Sequence, residues 1–252
     1  MPVNEALLRE ALQGLPEPRL LPEAGSTNLL ALELARKGAP DGTAVLADRQ
    51  TAGRGRRGRS FFSPAGGIYL SVLLRPALSP EERLLLTPMA AVAVCEAVER
   101  LCGVSPEVKW VNDLFFRGKK ICGILCEGTE DAVVVGIGLN AEAPEGGFPP
   151  ELAEIAGAVC PFGELPVPKE CLAAAICRTV VEESRHFDRE SVLRRYRARS
   201  FLPGREVTVH PIGGEPYDAR ALFIDDHARL AVETAAGERL FLSSGEVSVR
   251  ER

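Results

Sequence analysis

Apolar residues recur at helical spacing from the start of the chain. Asn4, an apolar three-four pattern and then Gly14 predict a short first helix with a cap at each end. Ser26 to Lys37, with Leu29, Leu30, Leu32 and Leu34 inside and Gly38 beyond, predict a second. The period then shortens: residues 43–50 (TAVLADRQ) and 67–76 (GIYLSVLLRP) read as strands, separated by a polar, arginine-rich loop. Ser79-Pro80-Glu81-Glu82 combines an N-cap, a proline in the first turn and a capping-box glutamate. The helix it starts is expected to reach Leu101 and stop at Gly103, with Pro88 as a kink or early break. Residues 119–128 (KKICGILCEG) and 131–140 (DAVVVGIGLN) predict a hairpin. After a Pro/Gly stretch at 143–150, helical patterns cover 168–187 and 190–199. Beyond Leu202-Pro203-Gly204 the runs REVTVH, DARALFID, RLAVET, ERLFLSS and GEVSVR are short and strand-like, which predicts a small barrel and a domain boundary near 201.

Composition removes several classes of function. With 46% hydrophobic and 26% charged residues over 252 positions, the chain can bury a sizeable core and is not of a disordered type. Its 35 acidic and 30 basic residues give a net charge of −5, which excludes a generally polycationic nucleic-acid binder but not a local basic site. No apolar run reaches the roughly 18 residues of a membrane span, and the early charges in MPVNEALLRE exclude a signal peptide. A cytoplasmic location without membrane contact is expected. The seven cysteines lack paired zinc spacing and sit mostly in apolar contexts, so buried free thiols are expected and a resident metal is not. The three histidines lie in the last third, far from the glycine-rich centre, which argues against a Ser-His-Asp triad.

Four constellations carry chemistry. Gly53-Arg54-Gly55-Arg56-Arg57-Gly58-Arg59 matches the GxGxxG of dinucleotide-binding folds. However, RSFFSPAGG cannot open the helix that fingerprint needs, and LLRP stands where an acidic residue is wanted about 20 positions on. No Walker A loop occurs. What remains is a loop with four guanidinium forks suited to phosphate or carboxylate, or an exposed RNA-touching loop. Lys109-Trp110-Val111-Asn112-Asp113 joins a cation, an amide and a carboxylate, which could hold phosphate and a divalent ion, or form a polar turn around a half-buried tryptophan. Lys120 precedes Gly123 on a predicted strand where backbone can approach a ligand closely. Ser26-Thr27-Asn28 offers two hydroxyls and an amide to a neutral polar head group, or is simply an N-cap.

Taken in order, STN, QTAGRGRRGRSFFSPAGGIYLSVLLRP, KWVNDL, KKICGILCE and VGIGLN resemble the biotin protein ligases, over nearly the whole chain but weakly between 145 and 200. The resemblance implies an α+β fold: a class II synthetase-like catalytic domain, with a mixed sheet flanked by helices, over 1–200, and a small SH3-like barrel over 201–252. It implies an ATP-dependent enzyme that makes biotinyl-5′-AMP and transfers biotin to a lysine of a biotin carboxyl carrier protein. Biotin contacts are implied at Ser26, Thr27, Asn28, Gln50, Arg54, Gly55, Arg56, Lys120 and Gly123. Adenylate contacts are implied at Arg56, Arg57, Arg59, Phe61, Asn112, Asp113 and Asn140. Lys120 and Arg56 are the expected catalytic residues, and Asp113 the group nearest a Mg²⁺ that arrives with ATP. Two departures stand out: Phe61 replaces a frequent tryptophan, and Val111 replaces the usual proline of KWPND. Room for one helix before Ser26 implies a ligase without the N-terminal helix-turn-helix of bifunctional members, hence no DNA partner. A homodimer is left open. Lipoate–protein ligase and RNA binding are the alternatives.

Overall fold

The computed structural model describes residues 3–243 and 247–251. In chain order its elements are α1 (Glu5–Ala11), β1 (Arg19–Leu21), α2 (Thr27–Arg36), β2 (Ala44–Ala47), β3 (Ile68–Leu74), α3 (Pro80–Arg83) and α4 (Leu86–Cys102). There follow β4 (Glu107–Lys109), β5 (Asp113–Phe116), β6 (Lys119–Gly128), β7 (Val133–Leu139), α5 (Pro150–Ala153), α6 (Lys169–Arg185) and α7 (Arg189–Arg199). The last are β8 (Glu206–Pro211), β9 (Tyr217–Ile224), β10 (Leu230–Thr234), β11 (Arg239–Leu242) and β12 (Val247–Glu251). The first seven strands form one sheet in the order β1-β2-β3-β7-β6-β5-β4. It is mixed, because β1 runs parallel to β2 while the other pairs are antiparallel.

Alternation along the central strands separates two faces. Ile68, Leu70, Val72 and Leu74 of β3, with Val133, Val135, Ile137 and Leu139 of β7, join the main core. That core also takes Met89, Val92 and Val94 of α4 and Leu172, Ile176 and Val180 of α6. On the other face α2 buries Ala31, Leu32 and Ala35 against Val45, Leu73 and Val134. Further along this second face, between Tyr69 of β3 and Leu125 of β6, three glycines lie side by side with small neighbours: Ser71 pairs with Gly136, and Gly138 with Gly123. Asn28 and Phe61 come down onto these glycines, and the cavity opens between them.

The predicted capping box at Ser79 and Glu82 forms. The break expected at Pro88 falls earlier, at Leu84 and Leu85, and α4 starts at Leu86. Pro88 lies in the first turn of α4, where a missing N–H costs no intrahelical bond. Strands β1, β4 and β5 and helix α5 are additions to the predicted elements. All seven cysteines are free thiols, but only Cys95, Cys122 and Cys177 are fully buried.

The five terminal runs become a five-stranded antiparallel sheet, ordered β11-β10-β9-β8-β12. Gly245 and Glu246 of the last run lie outside the described residues. Among the described residues, β11 and β12 stand at the two ends of this order. The second sheet is tied to the first: Trp110 Nε1 donates to the Ala228 carbonyl at 2.8 Å, and Phe201 N donates to Val108 O at 3.2 Å.

Candidate active site

The cavity, of about 240 Å³, lies on this part of the sheet under the arginine-rich loop. Its first wall is the start of α2. Ser26 takes the N-cap position in an extended conformation (φ −154°), but its side chain does not cap the helix. Gln50 does that work instead: its Oε1 accepts from Thr27 N at 2.8 Å and from the Thr27 hydroxyl at 3.1 Å. Gln50 Nε2 donates to the Ser63 hydroxyl at 3.0 Å. Asn28 lies flat on Gly136, its Nδ2 donating to Leu125 O at 3.1 Å and to Glu127 Oε2 at 2.9 Å. Ser71, buried beneath, donates to Asn28 Oδ1 at 2.6 Å and lies 2.8 Å from the Thr27 hydroxyl. Ser26, Thr27 and Asn28 are themselves buried, and the polar atoms of Thr27 and Asn28 are held in place before the cavity is filled.

The arginine loop folds back on itself. Gly55 N donates to Arg59 O at 2.7 Å and Phe61 N to Gly53 O at 2.9 Å, around a short 3-10 turn over Arg56–Gly58. Gly53 has no room for a side chain, since a Cβ there would meet Phe61 O at 2.4 Å. Arg57 adopts a left-handed conformation (φ 60°), which turns the chain and carries Arg56 into the cavity. Arg56 Nη1 donates to Asn112 Oδ1 at 3.0 Å. Burial and the neighbouring Arg57 pull the Arg56 guanidinium below its ordinary range, with Asp113 acting in the opposite direction. Such a cation gains by the arrival of an anion. Arg57 is lowered as well, by burial and then by Arg59.

The third wall is the turn between β4 and β5, in which the Trp110–Val111 peptide is cis. The expected half-buried tryptophan is 6% exposed. The Tyr196 hydroxyl of α7 donates to Val111 O at 2.9 Å, while Asn112 Nδ2 donates to Ile124 O and to Asp113 Oδ1, both at 3.0 Å. Asp113 Oδ1 accepts an ion pair from Lys120 Nζ at 2.7 Å. A register shift explains this meeting: Leu114 pairs with Cys122 but Phe115 with Lys120, which puts Lys120 on the face that Asp113 shares with Phe115. Asp113 pairs with Gly123, and Gly123 with Gly138, in one row. Phe61 lies on those glycines, its ring 5.8 Å from Lys120 Nζ.

The structure thus brings together Ser26, Thr27, Asn28, Gln50, Arg54, Gly55, Arg56, Arg57, Arg59, Phe61, Asn112, Asp113, Lys120 and Gly123 around one space. Asn140 does not line it. Its Nδ2 donates to Gly157 O at 2.9 Å, which straps the segment after α5 along the start of β6, where Lys120 N donates to Ile155 O. Sequence reasoning missed Ser63, Ser71, Glu127, Gly136 and Gly138. The two β7 glycines carried a signal, for they repeat at the two-residue period of one strand face. Among the described residues no cluster of three or more His, Cys, Asp or Glu could cage a metal, and no helix is long and apolar enough to cross a membrane.

Residues 23–140 match the family model described as the biotin/lipoate A/B protein ligase family. The chain is 34% identical to the biotin–[acetyl-CoA-carboxylase] ligase of Mycobacterium tuberculosis, over 98% of this chain and 95% of that one. It is 35% identical to the bifunctional ligase/repressor BirA of Bacillus subtilis, over 87% of this chain and 70% of that one. The fold matches the biotin protein ligase from Aquifex aeolicus in complex with biotin and ATP, with a TM-score of 0.75 and 26% identity, covering 93% of this chain and 99% of that one.

Proposed function

The chain belongs to the biotin/lipoate A/B protein ligase family, and we propose that it activates biotin with ATP and transfers it to a carrier protein. The observation that carries this reading is the two-ended cavity. At one end neutral donors and acceptors from Ser26, Thr27, Asn28 and Gln50 suit the uncharged polar ring of biotin. At the other, Lys120, Arg56, Asn112 and Asp113 surround the place where a carboxylate would meet a phosphate. Between them the Phe61 ring, seated on Gly123 and Gly138, offers an apolar surface to a chain.

In the first half-reaction a biotin carboxylate oxygen attacks the α-phosphorus of ATP. The bond to the bridging oxygen breaks, pyrophosphate leaves, and biotinyl-5′-AMP remains. Two anions must approach each other, so positioning and charge neutralisation supply the acceleration. Lys120 and Arg56 take that role. Lys120 exchanges its pairing with Asp113 for the substrate oxygens, and Arg56 is relieved of repulsion from Arg57 and Arg59 when phosphate arrives. In the second half-reaction the lysine amine of the carrier attacks the activated carbonyl, the amine proton is lost, and AMP departs. Phe61 offers a ring to the adenylate, and Arg57 and Arg59 reach from the exposed side of the loop. Asn140 acts at one remove, through the strap beside Lys120.

Mg²⁺ fits this site as an ion shared with ATP rather than as a resident one. Asp113 with the Asn112 amide offers hard oxygen donors but no complete cage. Bound there, it would neutralise phosphate charge. The partner we propose is the biotin carboxyl carrier protein of acetyl-CoA carboxylase, met in the cytoplasm, in line with the names of the relatives. We divide the chain into a biotin- and ATP-binding unit over 1–200 and an SH3-like unit over 201–252, on the support that residues 206–251 alone build the second sheet.

The test is pyrophosphate release with biotin, ATP and Mg²⁺, run in parallel with lipoate. Release with biotin alone, followed by labelling of a carrier domain, is expected. Release with lipoate and not biotin would move the chain to the other branch of its family.

A further inference from the structure

Glu127 stands at the far end of β6, outside the cavity, yet it grips two of the groups that build it. One carboxylate oxygen takes Arg54 Nη2 at 3.1 Å; the other takes Asn28 Nδ2 at 2.9 Å and Arg54 Nη1 at 3.4 Å. From Asn28 a polar chain continues through Ser71, Thr27 and Gln50 to Ser63. It begins and ends on the same loop, for Arg54 stands on one stem and Ser63 on the other. The carboxylate is also the acidic group that faces this cationic loop from β6. Arg54, Arg56, Arg57 and Arg59 repel one another, and a loop of four cations held near a sheet needs an anion at its base. Arg54 is 41% exposed and Glu127 21%, so the guanidinium comes in from solvent to meet a carboxylate already fixed by Asn28.

We propose that Glu127 is a positioning residue, a clasp that fixes the first stem of the arginine loop to the N-terminus of α2. The head-group end of the cavity and the loop above it then move as one unit. Glu127 acts through Arg54 and Asn28 and touches no substrate. Only the kinetic part of its test rests on the proposed function.

The structural part is amide hydrogen exchange on the protein alone, comparing wild type with Glu127→Gln, Arg54→Gln and the double variant. Glu127→Gln keeps size and an acceptor for Asn28 but removes the charge, and Arg54→Gln changes a solvent-side group that carries no core packing. A partly exposed ion pair contributes modestly, so exchange across 53–61 is expected to rise about three- to tenfold in each single variant, with β9 and β10 unchanged. The double variant should go no further than either single one, as coupled partners do. Unchanged exchange in both single variants, or effects that add in the double, would overturn the clasp. In turnover of Glu127→Gln, KM for biotin should rise by a similar factor (about three- to tenfold) with kcat held within about twofold, the split expected when positioning of a bound group is lost. Absence of turnover with biotin in the wild type would sink the functional reading while the exchange result still judges the clasp.

Discussion

Lys120 and Arg56 bring the same charge to one cavity by different routes, and their loss should be read differently. Lys120 sits on a strand with both backbone groups bound to the segment after α5: its N–H donates to Ile155 O, and its carbonyl accepts from Gly157 N. Its ammonium, 2.7 Å from Asp113, is part of the fixed charge of the site. Lys120→Ala should depress adenylate formation by about two orders of magnitude or more, the usual effect of removing one preorganised charge. Thermal denaturation should stay near wild type, because the side chain is a third exposed. Near-normal pyrophosphate release from a folded variant would take Lys120 out of the chemistry. Arg56 reaches the site from a loop, so its loss should show in retention of the adenylate as well as in its formation. Arg56→Gly removes one or two charge-assisted bonds of about 1.5–3 kcal/mol each, on the order of tenfold or more in residence time per bond. Biotinyl-AMP should then escape and label serum albumin added to the assay, whereas unlabelled albumin with slow adenylate release would clear Arg56 of that role.

Strand β7 shows how an element can make a site by what it omits. A Cβ at Gly136 would stand 2.0 Å from Asn28 Oδ1, so Gly136→Ala must push Asn28 away from Ser71 and Glu127. Overpacking of this kind costs about 1–3 kcal/mol. Gly136→Ala should lower the urea midpoint accordingly and weaken biotin binding in calorimetry. Gly128→Ala on β6, whose Cβ would meet only Ala132 O at 3.7 Å, is the control and should match the wild type in both. Long elements such as α2, α6, β6 and β7 were legible in the chain because their apolar period runs over many residues, and the arginine loop because its composition is so biased. Strands β1, β4 and β5 escaped because they are only three or four residues long and the runs around them, with Pro16 and Pro18 before β1 and Lys109 and Asp113 at the turn between β4 and β5, show no alternation. Ser71 and Glu127 escaped because a single polar residue inside an apolar run says nothing of the groups that another element brings to it. For Asn140 the motif order placed the residue beside the site, but the partner of its amide, Gly157, is set by tertiary contact alone.

At the scale of the whole molecule, protons held inside the core tie stability to pH. Burial pushes the thiols of Cys95 and Cys177 up to about 12 and that of Cys122 higher still, and the buried hydroxyls of Tyr69 and Tyr196 also rise. Unfolded thiols titrate near about 8.5, so above that pH the unfolded chain binds fewer protons than the folded one and stability falls as pH rises. Urea unfolding under reducing conditions from about pH 8 to about pH 10 should show it, with a slope approaching about 1.4 kcal/mol per pH unit for each buried thiol. A flat profile would mean that these thiols reach water in the folded protein. The two sheets that share this core meet at Trp110, the one tryptophan of the chain, a residue of the cavity wall whose Nε1 is bonded to Ala228. Indole emission depends on the polarity and hydrogen bonding around the ring, so the protein carries its own optical gauge at this junction. Filling the cavity alters the signal from one side and parting of the second sheet alters it from the other, and both can be watched without a label.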